Sequence, residues 1–307
     1  TDRIESLDIM RGIVLCGILL MNINGFGLAH AYNDPTLSGG ATSWNLATWI
    51  TTNLFFEGTM RALFSLLFGV GMFVLLDRFE KRGAGIEAAN IYFRRLTWLL
   101  VFGLVHAYLL LWDGEILYNY ALMGFFVFVF RNLSPKKLIS SALLLFAIGA
   151  FWSYCDYKND IKFVSDVALA RENTIAGKTL SRELIDASQK WEKKEWEHSA
   201  EGITFYNENM QKSYINVVAF LAPINNYYNT YWTYRYDLWD ILSMMLLGIG
   251  LFKLGILSAQ KSYRFYSIMG LLGYGIGLTV NYFEIYTIYQ DNFSFSEISV
   301  RFPKAIR

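Results

Sequence analysis

The sequence predicts an all-α protein, a polytopic bundle of transmembrane helices. Three observations predict it: apolar segments of membrane-spanning length, 17% charged against 54% hydrophobic residues, and basic residues gathered in alternate loops. Soluble domains carry about 25% charged residues. The deficit here sits in long runs for which lipid is the fitting solvent. Mean hydropathy is +0.29.

In chain order, seven segments approach the roughly 20 apolar residues that cross a bilayer as a helix. They are 12–31, 58–76, 96–112, 116–130, 138–154, 238–257 and 267–285. The fourth is short, and Trp112 to Gly114 barely leaves room for a turn, so the third and fourth are expected to form a tight hairpin. A further apolar stretch, 44–56, either lies in the interface or extends the second span outward. The leader mixes Asp2, Glu5 and Asp8 with Arg3 and Arg11, unlike the positive start of a signal peptide, so the first run reads as a retained span. The glycines at 248, 250, 270, 273, 275 and 277 are expected to serve close helix packing.

Orientation follows from charge. Arg3 and Arg11 precede the first span; Arg78, Lys81, Arg82, Arg94 and Arg95 separate the second from the third. Arg131, Lys136 and Lys137 follow the fourth, Lys261 and Arg264 the sixth, and the alternate short loops lack Lys and Arg. The positive-inside rule then places the N-terminus in the cytoplasm. Residues 1–155 form an N-terminal transmembrane bundle carrying the candidate site, and 156–235 an extracytoplasmic helical insert. Residues 236–307 form a C-terminal transmembrane segment, expected to be incomplete because the chain lacks an initial Met and ends with Arg301, Lys304 and Arg307 after an outward-going span. In the insert, Ser181 is an expected helix N-cap, with Trp191 and Trp196 as apolar anchors. The aromatic run 227–239 reads as an interfacial belt.

A net charge of +1 gives no basic field for phosphate, which excludes a nucleic-acid partner. Cys16 and Cys155 read as two buried small hydrophobes, not a disulfide framework. There is no Walker loop and no dinucleotide glycine fingerprint. No metal is expected, since His106 with Asp113 and Glu115 is a poor zinc set.

Ionisable groups inside spans are costly and face a protein interior or a wet cavity. Asn22 and Asn24 lie in the outer half of the first span, with His30 just beyond. Glu57 and Arg61 straddle the outer entrance of the second; four apart, they would share a helix face and pair. His106 lies near the outer end of the third. Asp113 and Glu115 occupy the hairpin, and Asn119 and Tyr120 follow on the fourth. All reach a similar depth. A histidine beneath two carboxylates suits a general base, and the arginine suits an anion or a carbonyl oxygen.

Four blocks carry a family resemblance. They are IESLDIMRGIVLCGILLMN (4–22), RALFSLLFGVG (61–71), RLTWLLVFGLVHAYLLLWDGEIL (95–117) with Tyr120 and Ala121, and LSMMLLGIGLFKL (242–254). Together they resemble the YeiB-like family of bacterial inner-membrane proteins, also described as domain of unknown function 418. The first block is also similar to the wider transmembrane acyltransferase group, which shares an LDxxRG opening. Here Leu7, Asp8, Arg11 and Gly12 match it, with Asp8 and Arg11 as the structural motif. Asn22 stands where the sugar O-acyltransferases carry histidine, and Asn33 where the heparan glucosaminide N-acetyltransferase carries its own.

The resemblance implies a multi-pass inner-membrane enzyme that brings an acyl group from cytoplasmic acyl-CoA to an extracytoplasmic acceptor. His106, supported by Asp113 or Glu115, would act as base; Asn22 and Arg61 would stabilise the carbonyl oxygen, and Arg94 and Arg95 would receive the phosphates. Asn24, Glu57, Asn119 and Tyr120 would line the substrate site. Expected partners are membrane lipids, an acyl donor, a lipid- or sugar-like acceptor and a second copy in a homodimer. The same buried charges equally fit a transporter or exporter of a small polar or lipid-linked solute, or a non-catalytic lipid-binding accessory subunit.

Overall fold

A computed structural model describes residues 4–28, 34–37 and 40–293; His30, Asn33, Arg301, Lys304 and Arg307 lie outside them. Among the described residues the structure is helical, without strands. In order come α1 (Glu5–Asn22), running into a short 3₁₀ turn (Ile23–Phe26), then α2 (Ser43–Phe55), α3 (Thr59–Lys81), α4 (Ile86–Tyr108) and α5 (Leu117–Phe130). There follow α6 (Pro135–Ile175), α7 (Arg182–Glu197), α8 (Ala200–Met210) and α9 (Tyr214–Tyr227), which passes into a π-helical stretch (Tyr228–Asp237), α10 (Leu238–Lys253) and α11 (Tyr263–Gln290).

Each of the seven expected apolar segments is helical over most of its described residues. Among the described residues, four stretches are long and apolar enough to cross a membrane: Glu5–Phe26, Ser43–Lys81, Pro135–Ile175 and Tyr263–Gln290. Leu117–Phe130 is a shorter apolar helix. The chain is therefore a membrane protein by helix length and composition.

Breaks fall where backbone chemistry requires them. The stretch 44–56 is a separate helix, because Gly58 takes a left-handed φ of +65° and starts α3 afresh. Pro135 opens α6 at the first helical position, where its missing N–H leaves no donor idle. Pro223 removes a donor inside α9, shortly before the π-helical stretch. The α4–α5 hairpin is looser than expected. α4 stops at Tyr108, Leu111 sits at φ 60° and α5 waits until Leu117. Replacing Leu111 by glycine, which adopts that φ without a Cβ clash, should stabilise the protein by about 1 kcal/mol in a thermal-unfolding comparison.

The chain divides into two compact units. The first comprises Thr1–Leu19, Gly58–Ala150 and Ser213–Leu272. Its core joins Tyr120, Met123 and Val127 of α5 to Leu138 and Ala142 of α6 and to Ile241, Leu242, Met245, Leu246 and Ile249 of α10. α3 and α10 meet backbone to backbone, as small residues in membrane helices permit. A Cβ on Gly69 would lie 2.7 Å from the Met245 backbone, and one on Gly248 would enter the Leu66 carbonyl oxygen. A second cluster packs Met72 and Leu76 of α3 on Ala88, Tyr92 and Leu96 of α4, and the Tyr92 hydroxyl donates to the Gly124 carbonyl at 2.6 Å. Gly250 packs on Ile139, but the α11 glycines at 270, 273, 275 and 277 have open space where a Cβ would go. α11 turns them away from its contacts. Cys16 is exposed, not buried as expected, since α1 presents most of its apolar side chains outward.

The second unit comprises Leu20–Glu57, Phe151–Lys212 and Gly273–Arg307. Trp49 of α2 packs with Ile285, Ile288 and Phe293, and the Asn281 amide donates to the Leu54 carbonyl at 3.1 Å. Val167 of α6 packs on Ala187 and Trp191 of α7. Ser181 caps α7 by accepting from the Leu184 amide at 3.4 Å, as its position predicts. Trp191 is a buried anchor there, whereas Trp196 is exposed.

Candidate functional site

The first unit holds Arg61, His106, Asp113, Glu115, Asn119 and Tyr120; Asn22, Asn24 and Glu57 belong to the second. Asp8 and Arg11 form an ion pair of 3.2 Å within α1. Glu57 lies in the turn before Gly58, outside α3, so the unbroken helix that the spacing predicts from Glu57 to Arg61 is interrupted. The left-handed glycine between them is the reason.

Arg61, in the first turn of α3, reaches two carboxylates at the start of α10. It pairs with Asp240 and lies 3.9 Å from Asp237. Asp237 in turn accepts from the Asn119 amide at 2.7 Å, and the Asn119 carbonyl oxygen accepts from the Thr233 hydroxyl at 2.7 Å. On the other side Ser65 donates to the Arg61 backbone carbonyl at 2.9 Å and shares a hydrogen bond of 2.6 Å with the Tyr120 hydroxyl. Four elements thus converge on one polar cluster: α3, α5, the π-helical stretch and α10.

A second cluster surrounds His106. Its Nδ1 is buried without a hydrogen-bond partner and lies 3.5 Å from Glu115 Oε1. Glu115 is itself buried. Its two oxygens accept from the Leu117 and Tyr118 amides at 2.5 and 2.9 Å, so the carboxylate caps α5. Helix N-termini favour negative charge in this position. Asp113 is exposed, and the neighbour that meets His106 is Glu115. The Asp113 charge instead acts, together with burial as the larger cause, to hold the Tyr228 phenol above its ordinary pKa.

A buried polar ladder joins the two clusters. In a π-helix, with its i to i+5 hydrogen bonds, residues four apart stay close to one face. Asn225, Asn229, Thr233 and Asp237 follow that interval, and the first three are all buried. Asn225 donates to the Ala107 carbonyl, beside His106; Thr233 and Asp237 bracket Asn119, beside Arg61. Asn225 Oδ1 and Asn229 Nδ2 are buried without a protein partner. The opposite side carries the exposed rings of Tyr227, Tyr231 and Tyr234. The stretch read as an interfacial belt therefore has an aromatic outer face and a polar inner one. The four-residue recurrence of Asn225, Asn229, Thr233 and Asp237 is the signal that could have revealed it.

Asp237 lies just outside the apolar part of α10. Burial pushes its carboxyl up to about 7, with Asp240 adding to the rise and Arg61 and a Trp232 hydrogen bond opposing it. A raised folded-state pKa means that the folded protein holds this proton more tightly. The associated stability is full below about pH 4 and is lost as the pH rises through about 7. Asp237→Asn, which keeps an acceptor for Asn119, should gain melting temperature relative to the parent between pH 5 and 8 in paired thermal scans.

Among the described residues no group of three or more His, Cys, Asp or Glu gathers as a metal site.

The chain is similar to two bacterial proteins along much of its length. It is 36% identical over 182 residues to YxaH, an uncharacterized protein of Bacillus subtilis (strain 168), covering 57% of this chain and 44% of YxaH. It is 30% identical over 285 residues to YeiB, an uncharacterized protein of Escherichia coli (strain K12), covering 91% of this chain. These relatives support a YeiB-like family. The chain spans 63% of the length of YeiB. No family model matches the chain, and no solved structure matches it.

Proposed function

We propose that the chain is part of a membrane-embedded acyltransferase related to the transmembrane acyltransferase group, with seven spans in the bacterial inner membrane and a cytoplasmic N-terminus. Residues 156–235 are its extracytoplasmic insert, and the His106 and Arg61 clusters face the same side. The observation that carries this reading is the His106–Glu115 pair, 3.5 Å apart, with Glu115 fixed by two α5 amides. A carboxylate fixed 3.5 Å from Nδ1 favours the imidazolium that forms when the ring takes a proton, and it leaves Nε2 to work as base.

In the reaction, His106 takes the proton of an acceptor hydroxyl or amine. The acceptor oxygen or nitrogen bonds to the acyl carbonyl carbon, the bond from that carbon to the donor sulfur breaks, and the leaving thiolate recovers the proton. Arg61, oriented by Asp237 and Asp240, donates to the carbonyl oxygen as it gains charge. Asn119 and Tyr120, which belong to the same unit as His106 and Arg61, line the acceptor side. The acceptor is sugar- or lipid-like, which fits the exposed tyrosines beside the polar ladder.

The test is labelled acyl transfer in proteoliposomes loaded with acyl-CoA on the side of the N-terminus. His106→Ala should lose at least about 100-fold in transfer, the lower range for a removed general base. Full activity in that variant would remove His106 from the reaction. A second reading, a transporter, is favoured by the Arg61–Asp237–Asp240 cluster, since charges in membrane bundles mark solute and proton paths. Solute flux without covalent change in the same vesicles would favour it.

A further inference from the structure

Away from the polar ladder, toward the end of the first unit that carries the basic residues, two clefts open side by side. One, of about 400 Å³, is lined by Asp8, Arg11 and Arg78 together with Val74 and Leu75. The other, of about 380 Å³, is lined by Arg11, Arg95, Phe64, Leu67, Phe68 and Met72. Arg11, Gly71 and Leu75 belong to both walls. Gly71 explains how they meet. A Cβ there would lie 2.8 Å from Arg11 Nη2, so the bare glycine gives the guanidinium its room beside α3.

The lining is divided by chemistry. Arg11, Arg78 and Arg95 stand against one carboxylate, Asp8, which leaves the mouth cationic. The remainder is aliphatic and aromatic. Along α3 the walls run from Leu75 back to Phe64, eleven residues, or about 16 Å of helix at 1.5 Å per residue. Phe64 then touches Tyr120, with ring centroids 5.3 Å apart, and Tyr120 hydrogen-bonds Ser65 next to the Arg61 carbonyl. A guanidinium group matches phosphate by its fork of donors, and an apolar trough about 16 Å long matches a chain, not a compact solute.

We infer that the two clefts form one binding site for a phosphate-headed amphiphile. Its phosphate rests on Arg11, Arg78 and Arg95, and its chain lies along Phe64, Leu67, Phe68 and Met72 toward Arg61. The inference deepens the acyltransferase reading by giving the donor's chemistry a place, but binding itself requires no turnover. The shared chemistry belongs both to phospholipids of the adjacent leaflet and to long-chain acyl thioesters of a phosphorylated carrier.

The experiment measures binding of tritiated hexadecyl phosphate to the purified full chain in a maltoside detergent. Hexadecyl phosphate should be retained, and Arg95→Gln, at an exposed position, should weaken it about tenfold, the effect of one lost charge-assisted hydrogen bond. The triple change of Arg11, Arg78 and Arg95 to Gln should abolish retention, while His106→Ala should leave it intact. Equal displacement by hexadecyl maltoside, or unchanged binding in both arginine variants, would overturn the inference. Displacement by palmitoyl-CoA assigns the site to a soluble donor, and lack of it assigns the site to lipid. Binding without any acyl transfer in the vesicle assay would leave this site standing and remove the reaction. Transfer that survives the triple change would do the reverse.

Discussion

Replacing Arg61 by alanine is expected to destabilise the detergent-solubilised protein by about 3 kcal/mol, the lower end for breaking a buried ion pair. The lower end applies because the Arg61 side chain is 41% exposed. What remains after the change is the cause: Asp237, with 13% of its side chain exposed, and Asp240 would face each other without a cation. Asp240→Asn removes one of the two charges and should cost less, about 1 kcal/mol. Combining it with Arg61→Ala should recover part of the loss, because the remaining buried charge is smaller. Arg61→Lys keeps the charge but not the fork and should fall between. Tryptophan fluorescence during denaturation reads all four variants, and equal stability of Arg61→Ala and the parent would show that the carboxylates do not depend on Arg61.

Gly248→Val should be of similar size, about 3 kcal/mol, at the upper range for overpacking. Most overpacked cores relax by moving side chains. Here the added carbon meets the Leu66 carbonyl oxygen, part of the α3 backbone, so α3 and α10 must separate. That separation would also part Arg61 from Asp237 and Asp240, which lie on the same two elements or at their junction. Gly69→Ala, facing the Met245 backbone at 2.7 Å, should act in the same direction. Gly275→Ala is the control. It meets open space in the interior of α11, and helix propensity alone should make it neutral or stabilising by up to about 1 kcal/mol.

Much of this was legible in the sequence because membrane burial imposes a strong compositional signal. Each apolar segment is helical over most of its described residues, and the Ser181 cap and the Gly248 contact follow from local chemistry. The grouping of His106 with Glu115 was readable because they stand nine positions apart across one hairpin. The partners of Arg61 were not. Asp237 and Asp240 lie more than 170 residues away in sequence, as does their helix. Gly58, at φ +65°, interrupts the helix between Glu57 and Arg61, a break that the four-residue spacing did not reveal. The polar ladder was hidden for another reason. Its residues alternate with tyrosines in a run whose outer face is aromatic, and a π-helical spacing is invisible to a pattern scanned at 3.6 residues per turn.

Asn119 is the joint on which the connected site turns, since it bonds both Thr233 and Asp237. A double-mutant cycle of Asn119→Ala and Asp237→Ala, read by unfolding free energy, tests that joint directly. A coupling of at least about 1 kcal/mol is the predicted result, within the range for residues sharing one hydrogen-bond network. Additive losses, within about 0.3 kcal/mol, would mean that the ladder and the Arg61 cluster are separate features and that no common site exists.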